Sequence, residues 1–357
     1  LIFVFPRVNR AKSVIYVDDY NWLMQRFTPV LPLFMLVYFL TVAARFDFQA
    51  WSLHLQVIHI PPKQVIDHLV HTLLIGTGDW YVMLLSVVAT LMMGVSVIWV
   101  AFASYVIFED RRTALAAAML YLISRVIHPP IHDPFGSVLL EITLAAALFA
   151  MARQAGRDTV SWSLLFVAPF ATMLVWLEPG YIAFIPVFFA YFLFKSKNKA
   201  QTFSHPIVWL VPMFVSLFSV PAFVFAKVQN PEATLFSTFF SAWNVFAPNP
   251  NQAFGSSWPI PDLLLVFAVV GLVIHFRRFL PMIVMIAFLL ISSMILASGI
   301  MDLGDSRLLS GQSNLLPSMV AGVGLTTLAD YMNAHESPAY AATLLIIVVG
   351  LALLPML

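Results

Sequence analysis

The chain has 357 residues, of which 61% are hydrophobic and only 10% charged, and its mean hydropathy is +0.92. A soluble domain carries about 25% charged residues, so this composition marks an integral membrane protein with no long soluble tail. A net charge of +1 argues against nucleic acid as a partner, and the absence of cysteine excludes disulfides, thiolate catalysis and Cys-ligated metals.

The opening stretch LIFVFP is too short to span and is followed by basic residues, so it does not read as a signal peptide. Because Leu1 is not a methionine, residues ahead of it are expected. A span needs roughly 20 apolar residues, fewer where helices are broken or buried in protein. On that basis the whole chain, 1–357, reads as a single all-α polytopic domain with about eleven transmembrane helices. In order they are 29–44, 81–108, 113–127, 135–152, 160–177, 181–194, 207–226, 263–276, 280–297, 315–329 and 340–356. No fixed-period repeat and no low-complexity tract interrupts them.

Charge sets the direction. If the N-terminus and every second loop are cytoplasmic, that side holds Arg7, Arg10, Lys12, Arg26, Arg111, Arg112, Arg153, Arg157, Lys195, Lys197, Lys199, Arg277 and Arg278. The other side holds Arg45, Lys63, Arg125, Lys227 and Arg307. Thirteen against five is the bias that the positive-inside rule expects. The long segments 45–80, 227–262 and 298–314 then fall outside, and loops on a rigid scaffold are where function concentrates.

Segment 45–80 begins with alternating Trp51, Leu53, Leu55 and Val57, an extended pattern. After Pro61-Pro62, Val65, Ile66, Leu69, Val70, Leu73 and Leu74 recur at helical spacing, which predicts an interfacial helix. Segment 227–262 repeats the device. Asn230 and Pro231 can start a helix whose stripe is Leu235, Phe236, Phe239, Phe240 and Trp243. Two flat helices could roof a cavity with lateral lipid access, or form an aromatic belt.

Several polar residues could carry chemistry. Asp47 leaves the first span between Phe46 and Phe48; partial desolvation would make its carboxylate a better base. Asp133 precedes Pro134, the order of an N-cap and first helical residue, and a capping carboxylate can also line a cavity. Glu141 lies about 12 Å further along that helix, inside the span. It is either functional or the buried partner of a cation such as Arg125. His68 and His71 share a helix face and His132 adjoins Asp133, a donor set that admits a divalent metal; no tight ligand motif decides the point. Arg307 runs against the charge bias and is suited to phosphate, or to pairing with Asp302 or Asp305.

The order of these features resembles the GT-C superfamily of membrane glycosyltransferases, of the protein-mannosyltransferase and aminoarabinose-transferase type. The resemblance runs from the first span to about residue 330 and rests on layout: Asp47 in the first outer loop, IPPKQVIDHLVHTLLIGTGDW, the turn FEDRR, HDPFGSVLLEITLAAALFAMAR, WLEPGYIAFIPVFFAYFLF, and SRLLSGQSNLLPSMVAGVGL. It implies inverting transfer of a sugar from a polyprenyl-phosphate carrier to a lipid, glycan or protein acceptor, at the outer face of a bacterial inner membrane. Asp47 would be the base, Asp133 would position the acceptor or a metal, Arg307 would hold the donor phosphate, and His132 and Glu178 are further candidates for substrate binding. Glu178 stands where relatives often carry lysine, and the first loop has one acid where many have two. A non-catalytic GT-C-like subunit of a larger membrane complex is the alternative. A transporter would show an inverted repeat, and none is present.

Overall fold

The computed structural model describes residues 17–45, 80–127, 134–155, 160–177, 184–196, 198–229 and 315–335. Among these every regular element is helical. They are α1 (Val17–Phe27), α2 (Leu31–Arg45), α3 (Trp80–Phe108), α4 (Arg111–Ile127), α5 (Pro134–Ala155), a 3-10 turn (Trp162–Phe166) leading into α6 (Val167–Leu177), α7 (Phe184–Lys195), α8 (Lys199–Ser204), α9 (Pro206–Gln229) and α10 (Leu315–His335). Each span expected within the described residues falls on helical structure, that at 160–177 on the 3-10 turn and α6 together. Those at 263–276, 280–297 and 340–356, and both interfacial segments, lie outside them.

Length separates the helices. Met83–Phe108 is long and apolar enough to cross a membrane alone, and the bent pair Asp19–Phe27 and Leu31–Ala44 qualifies if taken as one span. Others are apolar but short: Trp162–Leu177, Phe184–Leu193 and Pro206–Pro221. Local chemistry accounts for part of this. Ser161 caps the 3-10 turn by accepting from the Ser163 amide, and α9 carries Pro212 and Pro221, each lacking the N–H of a helical hydrogen bond.

The core is built on α3, which packs against α2, α4 and α5. Met93, Val97 and Val100 of α3, Tyr121 and Leu122 of α4, and Leu144 and Leu148 of α5 are buried within it. The α3–α4 connection is only Glu109 and Asp110. Glu109 takes φ 56°, the left-handed conformation that usually goes to glycine after a helix, and its amide donates to the Tyr105 carbonyl at 2.8 Å. Asp110 then caps α4: its carboxylate accepts from the Thr113 amide at 3.0 Å and the Thr113 hydroxyl at 2.6 Å. The turn is tight because both helix ends are satisfied within two residues.

The last described helix, α10, lies antiparallel along α4. Thr113 meets Thr326 at 2.9 Å, and Arg112 meets Asp330 at 3.2 Å. Ala114, Ala117 and Ala118 face Ala321 and Gly322, all buried. A Cβ on Gly322 would stand 2.6 Å from the Ala117 backbone nitrogen, so only glycine permits this approach. Small residues at a close helix crossing are the usual means of association where lipid removes the hydrophobic drive between helices.

Candidate functional site

Inside the bundle lies a charged cluster closed on all sides. Arg125, on the last turns of α4, forms an ion pair with Glu141 of α5, and its Nε donates to Glu141 Oε2 at 3.0 Å. The Tyr121 hydroxyl donates to the same oxygen and lies 2.7 Å from Ser96 Oγ on α3. Arg125, Glu141, Tyr121 and Ser96 are fully buried, as is Tyr38 of α2 beside them. A buried charge persists only when paired and hydrogen-bonded, and here one carboxylate gathers three donors. Of the two readings open for Glu141 in the sequence, the geometry realises the ion pair with Arg125.

The cluster fixes direction as well as charge. It ties α4 to α5 shortly before α4 ends at Ile127, where the chain leaves towards Asp133 and returns at Pro134. Tyr38 brings α2 to the same level, so α2 runs on to Arg45 at this end of the bundle. α5 runs away from it. The 3-10 turn, tied to the far end of α5 by Gln154 and Ser163 at 2.5 Å, starts α6 on its way back to Leu177. The α4–α10 pairing is antiparallel, so α10 starts near it at Leu315. The helix termini nearest in sequence to Asp47, Asp133, Glu178 and Arg307 therefore share one end.

The five residues expected at the site, Asp47, His132, Asp133, Glu178 and Arg307, lie outside the described residues, as do His68 and His71. Among the described residues no group of three or more metal-ligating side chains gathers.

The opposite end is charged in a different manner. The buried Asp19 of α1 pairs with Arg111 and accepts from the Tyr105 hydroxyl. Lys195 of α7 reaches Glu109 at 3.3 Å. The guanidinium of Arg26 lies 5.6 Å and that of Arg111 5.8 Å from the centre of the Trp22 ring. Arg153, at the end of α5, lies 6.0 Å over Phe149. Sequence reasoning assigned these arginines to one side of a membrane but missed α1 itself. The signal was available: Tyr20, Leu23 and Phe27 recur at helical spacing, with Asn21, Gln25 and Arg26 on the exposed side.

Comparison with known proteins adds no name to this geometry: no protein-family model, curated protein or solved structure matches the chain.

Proposed function

We propose that the chain is a polytopic membrane protein with its N-terminus in the cytoplasm, and that its outer face transfers a sugar from a polyprenyl-phosphate carrier to an acceptor, with inversion. The observation that carries the reading is the shared destination of the helix ends. The termini of α2, α4, α5, α6 and α10 that flank the candidate residues all point to one end of the bundle. Arg26, Arg111, Arg112, Arg153 and Lys195 gather at the other. That separation is what about eleven alternating spans would produce, with cations kept inside. Wide apolar surfaces support a lipid environment: Leu33, Leu36 and Leu40 on α2, Leu84 and Leu91 on α3, and Met213 and Leu217 on α9 are all exposed.

In this reading each residue does one task. Asp47 removes the proton of the acceptor hydroxyl as its oxygen attacks the anomeric carbon. The bond to the carrier phosphate breaks in line, and Arg307 stabilises the negative charge left on that phosphate. Asp133, with His132, orients the acceptor or a divalent metal, and Glu178 lines the same vestibule. The Arg125–Glu141 pair is structural: it sets the spacing of the two helices that present the 128–133 segment.

The test is transfer from a polyprenyl-phosphate sugar by the purified, reconstituted chain. Asp47→Asn and Arg307→Ala should each abolish it, and unchanged transfer in both variants removes the mechanism. A second reading, a non-catalytic subunit of a membrane complex, draws on the same exposed apolar faces, which suit a partner helix as well as lipid. It predicts that wild-type chain is inactive alone and co-purifies with a fixed stoichiometry of another membrane protein.

A further inference from the structure

We propose that the charged end of the bundle holds an anionic phospholipid, its phosphate between Arg26 and Arg111 beside the Trp22 indole and its acyl chains along the exposed face of α2. The inference rests on the membrane placement given above and is independent of the transfer reaction. Two guanidinium groups approach one indole ring, at 5.6 and 5.8 Å from its centre. Two cations around one ring make the local potential positive and favour an anion. Asp19 supplies one for Arg111, but Asp19 is buried and its carboxylate also serves the Tyr105 hydroxyl. Arg26 has no carboxylate partner among the described residues, and it is exposed. Arg111 keeps 45% of its side chain exposed, which leaves donors for a second acceptor.

The surroundings select a lipid over a free anion. α1 is amphipathic: Leu23 and Phe27 are buried, while Asn21, Gln25 and Arg26 are exposed and Trp22 is half-buried between them. α1 meets α2 at a bend of 53°, so its axis departs from that of α2 at this end of the bundle. Trp is the residue that favours the headgroup level of a bilayer. Directly past the bend, Leu33, Leu36 and Leu40 form one stripe on α2, exposed by 63%, 54% and 56%. A phosphate at Arg26 with acyl chains starting along that stripe matches the polarity of one phospholipid. A free phosphate would use the arginines alone, whereas a phospholipid uses the adjoining stripe as well.

The experiment places the full chain in nanodiscs of phosphatidylcholine with increasing phosphatidylglycerol and counts retained phosphatidylglycerol by native mass spectrometry. An arginine at an anionic bilayer surface contributes roughly 1 kcal/mol, so Arg26→Gln should raise the half-saturating phosphatidylglycerol fraction about fivefold. Arg26→Lys, which keeps the charge and loses the fork, should fall between Arg26→Gln and wild type. Arg112→Gln should leave retention unchanged, because that exposed arginine pairs with Asp330. Unchanged retention in Arg26→Gln overturns the site. An equal loss in Arg112→Gln also overturns it, since diffuse surface charge would then be the cause. Competition by millimolar inorganic phosphate would reassign the arginines to a soluble anion and overturn the lipid. A chain that fails to enter nanodiscs sinks the membrane placement itself; one that enters without a phosphatidylglycerol preference sinks only this inference.

Discussion

Removing the Glu141 charge while leaving Arg125 in place should be among the most damaging single changes available in the described bundle. The Glu141 carboxylate holds an ion pair with Arg125, a 3.0 Å bond from Arg125 Nε and the Tyr121 hydroxyl, all without solvent. Glu141→Leu takes the carboxylate partner from a buried guanidinium, at a cost of about 3–5 kcal/mol for breaking one side of such a pair. Arg125→Met strands the carboxylate with Tyr121 as its remaining hydrogen-bond donor in the cluster and should cost a similar amount. The double variant Arg125→Met/Glu141→Leu removes both charges of the pair together. Tyr121 keeps its 2.7 Å partner Ser96, and the new side chains fill much of the same space, so stability should return to within about 2 kcal/mol of wild type. Unfolding of the purified chain in bicelles, followed as a double-mutant cycle, measures this directly. Single variants that each cost under 1 kcal/mol, or a double variant as unstable as the sum of the singles, would show that the pair is not closed as described.

Other outcomes follow from single contacts. Gly322→Ala should destabilise by about 1–3 kcal/mol or more in the same unfolding assay. Ala117→Gly should not rescue it, because the nearest atom to the new Cβ is the Ala117 backbone nitrogen. Glu109→Gly should remain within about 1 kcal/mol of wild type, since relief of the left-handed backbone offsets the loss of the partly exposed Lys195 pair. Glu109→Val should be clearly less stable than Glu109→Gly, because a β-branched side chain fits that conformation worst. Asp110→Ala should cost about 1–2 kcal/mol by uncapping α4, and Asp110→Asn should recover most of it; thermal unfolding of the three proteins ranks them.

Hydropathy predicted the helices well where apolar runs were uninterrupted. The expected 81–108 and the observed Trp80–Phe108 differ by a residue, and 135–152 became Pro134–Ala155 because the polar last turn stays helical. The expected 160–177 span is instead a 3-10 turn joined to a short α-helix. Ser161 was visible in the sequence as a cap, but not that Gln154 would reach it and Ser163 from α5. α1 was passed over because the search was for spans, and an amphipathic eleven-residue helix has no such signature. The Arg125–Glu141 pair was legible as one of two readings, since two opposite charges on neighbouring apolar helices seek each other. The partnership of α4 with α10 was not, because alanine and glycine carry no hydropathy signal for a contact between residues some 200 positions apart. The candidate residues Asp47, His132, Asp133, Glu178 and Arg307 lie outside the described residues, and in the sequence they fall between the expected spans, where periodicity says little about position.

The most direct test of the account is which side of a membrane each end of the bundle occupies. The chain has no native cysteine, so a single introduced thiol reports alone. In intact cells a membrane-impermeant maleimide should label His128→Cys, and should reach Arg112→Cys only after the membrane is opened. Labelling of both positions from the same side would contradict the separation of the two ends and, with it, the outer-face site.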